Sequence, residues 1–87
     1  MAIVPGKLHR PTNLVKWFGG SLRLSSRDLL LERFVGFIPY TEKTAVIILE
    51  YEPVVVGSSV GVATFLTPEG IIGCRSVRKC DWEPIDE

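Results

Sequence analysis

The sequence predicts a mainly β fold, a small antiparallel barrel or sandwich with one short helix at about residues 26–34. β-Branched and apolar residues fill positions 44–51, and two further runs of this kind, at 60–66 and 71–77, flank a Pro- and Gly-containing turn. Turn signals recur about every ten residues in this half. Such spacing is typical of small barrels and sandwiches rather than of an α/β layer.

The composition predicts one small domain with more apolar surface than it can bury. The 87 residues are 46% hydrophobic, with a mean hydropathy of +0.25 and a formal net charge of zero. Domains usually hold about 100–150 residues, so we expect a single domain over residues 1–87. A chain this small buries only about 60% of its unfolded surface. The apolar surplus therefore points to an assembly.

The first half contains fewer clear elements. Pro5 and Pro11 predict an extended arm over residues 1–13, because proline fixes its own φ and extends its predecessor. Polar and apolar residues alternate at 21–25, which indicates a half-buried strand. A serine cap followed by Asp28, Leu30 and Phe34 at helical spacing predicts the helix. A strand through residues 29–31 is the alternative.

The second half is more regular. The run at 44–51 predicts a central strand buried on both faces, and residues 57–59 predict a turn. The turn Thr67-Pro68-Glu69-Gly70, with Pro second and Gly fourth, predicts a type I hairpin connection. An acidic tail follows at 81–87. The expected core comprises Leu22, Leu24, Leu30, Phe34, Val46, Ile48, Val62, Phe65, Ile72 and Val77.

Several classes of protein are disfavoured. No stretch approaches the roughly 20 apolar residues of a membrane-spanning helix, and residues 1–5 are too short for a secretory signal. We therefore expect an intracellular protein or a component of a viral particle.

Cys74 and Cys80 would stand about 20 Å apart on one strand, too far for a disulfide, so we expect free thiols. With His9 they are too few for a structural zinc site, and we expect neither metal nor cofactor.

The sequence gives little support to catalysis. His9 is the one histidine, and it lies in the proline-containing arm. Glu50 and Glu52 would point the same way about 6.6 Å apart on one strand, which is also typical of a polar, solvent-facing strand edge. The glycine- and serine-containing segment at 57–61 lacks the Lys of a phosphate-binding loop. We expect a protein that is not an enzyme and has no small-molecule substrate.

The charges are distributed unevenly. Residues 1–34 carry a net charge of +4, and residues 35–87 carry −4. This asymmetry has three interpretations: mutual neutralisation within one fold, a head-to-tail subunit contact, or a nucleic-acid face beside an acidic tail. For the last, Trp17 and Phe18 beside Lys16 supply aromatic rings on which single-stranded bases stack. The residues are Lys16, Trp17, Phe18, Arg23, Arg27 and Arg33.

The preferred hypothesis is a small structural or accessory subunit that binds protein, including copies of itself, in a larger assembly such as a viral particle. Proline favours sheet edges, and a bare valine edge invites strand addition. We expect the strand before Pro53 and the valines after it to be a contact, with the arm and the tail lying on a neighbour. The predicted interface residues are Tyr51, Pro53, Val54, Val55, Val56, Trp82 and Ile85.

Overall fold

The computed structural model describes residues 3–12, 21–26, 33–41 and 43–85. It contains one antiparallel sheet with the strand order β3-β2-β6-β5-β4-β1-β7. The strands are β1 (Lys7–Pro11), β2 (Ser21–Ser25), β3 (Phe34–Pro39), β4 (Val46–Pro53), β5 (Val60–Leu66), β6 (Ile72–Arg78) and β7 (Trp82–Pro84), with a 3₁₀ turn at Lys79–Asp81. The mainly β prediction is confirmed. The sheet is not closed into a barrel, because β3 and β7 form its edges.

The predicted helix falls mostly on residues 27–32, which lie outside the described residues. At its two ends the structure has strand pairing instead. The Ser26 N–H donates to the Arg33 carbonyl over 2.7 Å, and Ser25 pairs with Phe34. Phe34 therefore begins β3, and the helix prediction is wrong at that residue. Pairing with β2 overrides the local helical spacing, as tertiary context commonly does.

The β5–β6 hairpin is confirmed. Its register runs from Val60 opposite Arg78 to Leu66 opposite Ile72. The Gly70 N–H donates to the Thr67 carbonyl over 2.9 Å, which closes the four-residue turn. The Thr67 hydroxyl accepts the Ile71 N–H at 3.0 Å. The turn is thus fixed by its own backbone and by one side chain.

Strand β4 is buried on one face only, contrary to the prediction. Val46 and Ile48 are buried, whereas Leu49 is 37% exposed and Glu50 lies at the surface. The pairing with β5 shifts register between Ile48 and Glu50. Antiparallel sheets commonly pack one face on a core and leave the other near solvent. The prediction was wrong because it was based on the continuous apolar run at 44–51, which is typical of strands covered on both faces.

The arm and the tail, which were predicted to lie on a neighbour, pair with each other inside the chain in their described parts. Strand β1 lies between β4 and β7, so that His9 is opposite both Val46 and Pro84. On the same strand pair, Arg10 Nε donates to Glu83 Oε1 over 2.6 Å. These segments therefore complete the sheet of their own chain.

The core is a single cluster of buried side chains packed against the sheet. Six predicted members are buried there: Leu22, Leu24, Val46, Ile48, Phe65 and Val77. Phe34 and Ile72 are 48% and 57% exposed, so the prediction is wrong for both. Val62 is half-buried, and Leu30 lies outside the described residues. The core also contains Ile3, Ile38, Tyr40, Ala63 and Trp82.

Candidate protein interface at the hairpin tip

The loop between β4 and β5 presents three consecutive valines to solvent. Val54, Val55 and Val56 are 62%, 65% and 102% exposed. The Ser58 N–H donates to the Val55 carbonyl over 2.9 Å, and the Val54 N–H donates to the Val60 carbonyl over 3.0 Å. Gly57, at the third position of this turn, has a φ of +82°, which side-chain-bearing residues rarely adopt. The three valines, here called the valine tip, therefore stand on a hydrogen-bonded turn.

Tyr51 stabilises the base of the β4–β5 hairpin. Its ring packs against the core, and its hydroxyl donates to the Ser59 carbonyl at 3.5 Å. A Cβ at Gly61 would lie 2.6 Å from Tyr51 Cζ, so the ring lies directly over the Gly61 backbone. Burial raises the pKa of the Tyr51 phenol. Of the predicted interface, Tyr51 thus supports the hairpin, while Pro53 and the valine tip are exposed.

The last two predicted interface residues lie elsewhere. Trp82 is fully buried, with its ring centroid 5.1 Å from that of Phe65, so it is not an accessible contact. Ile85 is half-buried, and its N–H donates to the Leu8 carbonyl over 2.9 Å. The charged residues beside Trp82 are paired within the chain, Asp81 with Arg78 over 3.3 Å and Glu83 with Arg10 over 2.6 Å.

His9 is a buried structural residue. It is fully buried; its Nε2 accepts the Val4 N–H at 3.0 Å, and its Nδ1 lies 2.8 Å from the Lys7 carbonyl. These partners require a neutral ring with the proton on Nδ1. Burial lowers the pKa of His9, the Lys7 charge adds to this, and the hydrogen bond to the carbonyl opposes it. The side chain holds the N-terminal segment against the core.

The two glutamates do not meet the histidine. Glu50 pairs across from Thr64 and Glu52 across from Val62, on the face opposite to buried Ala63 and Phe65. His9 lies on the buried face, opposite Val46. A base and a pair of carboxylates on opposite faces of one sheet cannot act on the same substrate atom.

The described ranges show no further grouping of catalytic or metal-binding side chains. No cluster of three or more His, Cys, Asp or Glu side chains there has the geometry to hold a metal ion. Both cysteines are free, with Cys74 buried and Cys80 exposed. Within the same ranges, no helix is long and apolar enough to cross a bilayer.

The alternative nucleic-acid residues are described only in part. Lys16, Trp17, Phe18 and Arg27 lie outside the described residues, whereas Arg23 and Arg33 are exposed.

Arg23 is part of an exposed aromatic patch that the sequence did not predict. Its guanidinium carbon lies 5.1 Å from the centroid of the Phe34 ring. That ring lies 4.9 Å from the centroid of Phe37, which is 55% exposed. Arg23, Phe34 and Phe37 are called the aromatic patch below. Exposed Phe37 alternates with buried Ile38 on β3, a pattern that is typical of a strand. The patch was not predicted because the residues just before, up to Phe34, were predicted to form a helix.

Comparisons of the chain with known protein families, with curated proteins and with solved structures found no match.

Proposed function

We propose that the protein is a non-enzymatic structural or accessory subunit that binds protein, including further copies of itself, through the valine tip. The observation that carries this proposal is the exposure of Val54, Val55 and Val56 on a turn that is itself well bonded. Turns are usually built from Gly, Pro, Asn, Asp and Ser. Three adjacent valines at the outermost position are therefore unusual.

The valines contribute little to the fold that displays them. The core beneath the hairpin consists of other residues, such as Ala63 and Val77, and Val56 is 102% exposed. Contiguous exposed apolar surface on a soluble domain marks interaction sites. Covering it gains about 25 cal/mol per Å² of apolar area. The tip thus offers binding energy that folding does not use.

The test is sedimentation of the wild type and of the Val55→Ser/Val56→Ser double variant. We expect the wild type to form oligomers at micromolar concentration and the double variant to be monomeric. Ile72→Ser is the matched control, because it also removes a branched apolar side chain, 57% exposed, from the surface. It should assemble as the wild type does.

A monomeric wild type would contradict self-association, and an assembled double variant would contradict the role of the tip. Circular dichroism of each variant checks that the β fold is retained.

Single-stranded nucleic-acid binding is the second candidate, and the aromatic patch is the observation that favours it. Exposed rings beside an arginine provide stacking and cation–π contacts for bases. Fluorescence anisotropy with labelled single-stranded oligonucleotides tests it at several salt concentrations. Phe37→Ala should weaken binding about tenfold, since base stacking is worth about 1–3 kcal/mol, and affinity should fall steeply with salt. Absence of binding at low salt removes this candidate.

A further inference from the structure

The chain reverses direction immediately before strand β1. The Lys7 N–H donates to the Val4 carbonyl at 3.3 Å, with Pro5 and Gly6 between them, and Gly6 has a φ of +86°. Proline followed by a glycine at positive φ is typical of a type II turn. The Gly6 N–H also donates to the Ile48 carbonyl over 2.7 Å. The turn is therefore attached to β4 as well as to β1.

The two residues before this turn are held by different contacts. Ile3 is 8% exposed and belongs to the core cluster. Val4 is 38% exposed, and its N–H donates to Nε2 of His9 over 3.0 Å. Ile3 and Val4 are called the latch segment below. One side chain in the core and one backbone hydrogen bond thus hold the latch segment in place.

The His9 ring can hold the latch segment only while it is neutral. Its Nδ1 lies 2.8 Å from the Lys7 carbonyl, which requires the proton on Nδ1, so that Nε2 has a lone pair for the Val4 N–H. A second proton, on Nε2, turns this acceptor into a donor that faces another donor. A buried donor without an acceptor is costly. Protonation of the ring therefore breaks its hydrogen bond to Val4.

The groups that face the ring do not stabilise a charge on it. Strand β4 places Val46 opposite His9, and strand β7 places Pro84 there. Strand β1 contributes the positive charge of Lys7. Burial lowers the pKa of His9, and the Lys7 charge lowers it further, whereas the hydrogen bond to the Lys7 carbonyl opposes both. A protonated ring is therefore unfavourable in the closed structure.

The carboxylate of β7 lies on the other face of the sheet. Glu83 precedes Pro84 and binds Arg10 over 2.6 Å, and neighbouring residues of a strand point to opposite faces. In the described part of the chain, no carboxylate contributes to the titration of His9. The ring can thus gain a stable charge only by reaching water.

The latch segment can move away from the ring more easily than β1 can. Strand β1 is paired on both edges, with β4 and with β7, whereas Ile3 and Val4 lie outside the strands. Segments with few backbone hydrogen bonds open at lower free energy than a paired sheet. A cleft of about 300 Å³, whose lining includes Ile3, Pro5 and Tyr51, lies beside the latch segment. Water therefore has a route to the ring once Ile3 and Val4 move.

We propose that the latch segment is released by acid, because protonation of His9 frees Ile3 and Val4 while the seven-stranded sheet stays paired. Ile3 then leaves the wall of the cleft beside Tyr51, and the cleft widens. This device goes beyond the proposed function, since it operates within one chain and needs no partner. Opening returns the pKa of the ring towards its ordinary value of about 6.5. Release therefore begins as the pH falls below that value.

The experiment follows the ring and the latch segment by NMR. His9 is the one histidine of the chain, so its ring nitrogens are identified without ambiguity. We expect a neutral ring with the proton on Nδ1 at neutral pH. On acidification the hydrogen-exchange protection of the Val4 amide should fall by up to about tenfold per pH unit, while the amides of the β5–β6 hairpin stay protected. Val55→Ser/Val56→Ser is measured alongside, so that assembly does not affect the result.

Two results of this experiment would overturn the inference. In one, the Val4 amide stays protected while the His9 ring becomes charged. In the other, Val4 and the β5–β6 hairpin lose protection together, which is global unfolding. Neither result affects the proposed function, which depends on assembly through the valine tip.

Ile3→Ala tests the latch segment directly. The smaller side chain holds the segment less firmly, so opening costs less and the apparent pKa of His9 should rise towards about 6.5. Ile72→Ala makes the same change at a residue that is 57% exposed and should leave the titration of His9 unchanged. An equal titration in Ile3→Ala and the wild type would overturn the inference.

His9→Gln tests the proton. The glutamine amide oxygen can accept the Val4 N–H at every pH, so Val4 should stay protected on acidification. Loss of protection at Val4 in His9→Gln, at the same pH as in the wild type, would overturn the inference. If this variant does not fold, the titration of Ile3→Ala decides the question.

Discussion

The rings of Tyr40 and Trp82 meet edge to face, with centroids 5.6 Å apart and planes at 86°. Tyr40 directly follows edge strand β3, and Trp82 begins the opposite edge strand β7. The Tyr40 hydroxyl also donates to the Asp81 carbonyl at 3.4 Å. Side chains, rather than strand pairing, therefore bring the two ends of the open sheet together.

We expect Tyr40 and Trp82 to be energetically coupled. Tyr40→Leu and Trp82→Leu should each destabilise the fold, and a double-mutant cycle should give a coupling of about 0.5–1.5 kcal/mol, as for other edge-to-face pairs. Urea unfolding followed by circular dichroism measures it. Tyr40→Leu combined with Ile72→Ser, a surface residue outside the core cluster, should be additive within about 0.5 kcal/mol. Equal coupling in both cycles would show that the aromatic contact is not specific.

Stability should fall as the pH drops below about 6.5, the ordinary pKa of histidine. The pKa of His9 is lowered in the fold, so the unfolded chain binds the proton more readily. The stability is therefore complete above pH 6.5 and is lost as the pH falls towards the folded-state pKa. One proton changes the unfolding free energy by at most about 1.4 kcal/mol per pH unit.

Unfolding of the wild type and of His9→Gln at several pH values isolates this contribution. The variant does not titrate there and should be less pH-dependent over the same range. The amide resonance of Val4, which donates to Nε2, should report the loss of that bond in the wild type. Identical pH profiles for the two proteins would contradict the role of His9.

Asp81→Ala should destabilise the fold by about 1–3 kcal/mol, the cost of leaving a partner unsatisfied. The Asp81 side chain is buried and accepts the Arg78 backbone N–H at 3.2 Å and its guanidinium at 3.3 Å. Glu83→Ala is the comparison, because it breaks the more exposed pair with Arg10. Surface pairs are worth about 0–1 kcal/mol. Chemical denaturation of both variants measures the two losses of stability. A larger loss of stability in Glu83→Ala than in Asp81→Ala would contradict this prediction.

Gly61→Ala should destabilise the β4–β5 hairpin. The added Cβ would lie 2.6 Å from both the Glu52 carbonyl oxygen and Tyr51 Cζ, so strand and ring must both move. Overpacking of this kind costs about 1–3 kcal/mol. Ser59→Ala, in the same hairpin and exposed, should change stability by less than about 0.5 kcal/mol. Thermal unfolding distinguishes the two, and equal melting temperatures would contradict the close approach.

The parts of the fold that could be predicted are those fixed by neighbouring residues. The β5–β6 hairpin depends on its own turn, and the Ser21–Ser25 strand on its own alternation. Strand β1 depends on distant partners. The Lys7–Pro11 strand pairs with residues 46–48 and 82–84, and no local pattern reveals those partners, so its prolines suggested an irregular arm.

The candidate site could also be predicted only in part. The exposure of the three valines could be predicted, because Pro53 and the turn residues beside them indicate a sheet edge. Trp82 was assigned to the surface because Asp81 and Glu83 flank it, yet polar–apolar alternation on a strand is also what buries the residue between two charges.

The pairing of β1 with β7 has a consequence for biosynthesis. Arg10 and Glu83, which meet across these strands, are 73 positions apart. On the ribosome, β1 emerges early and has no β7 partner until residues 82–84 have left the exit tunnel. Trp82 enters the core at the same late stage. Closing such a long loop is slow, so we expect the pairing of β1 with β7 to be a late step of folding.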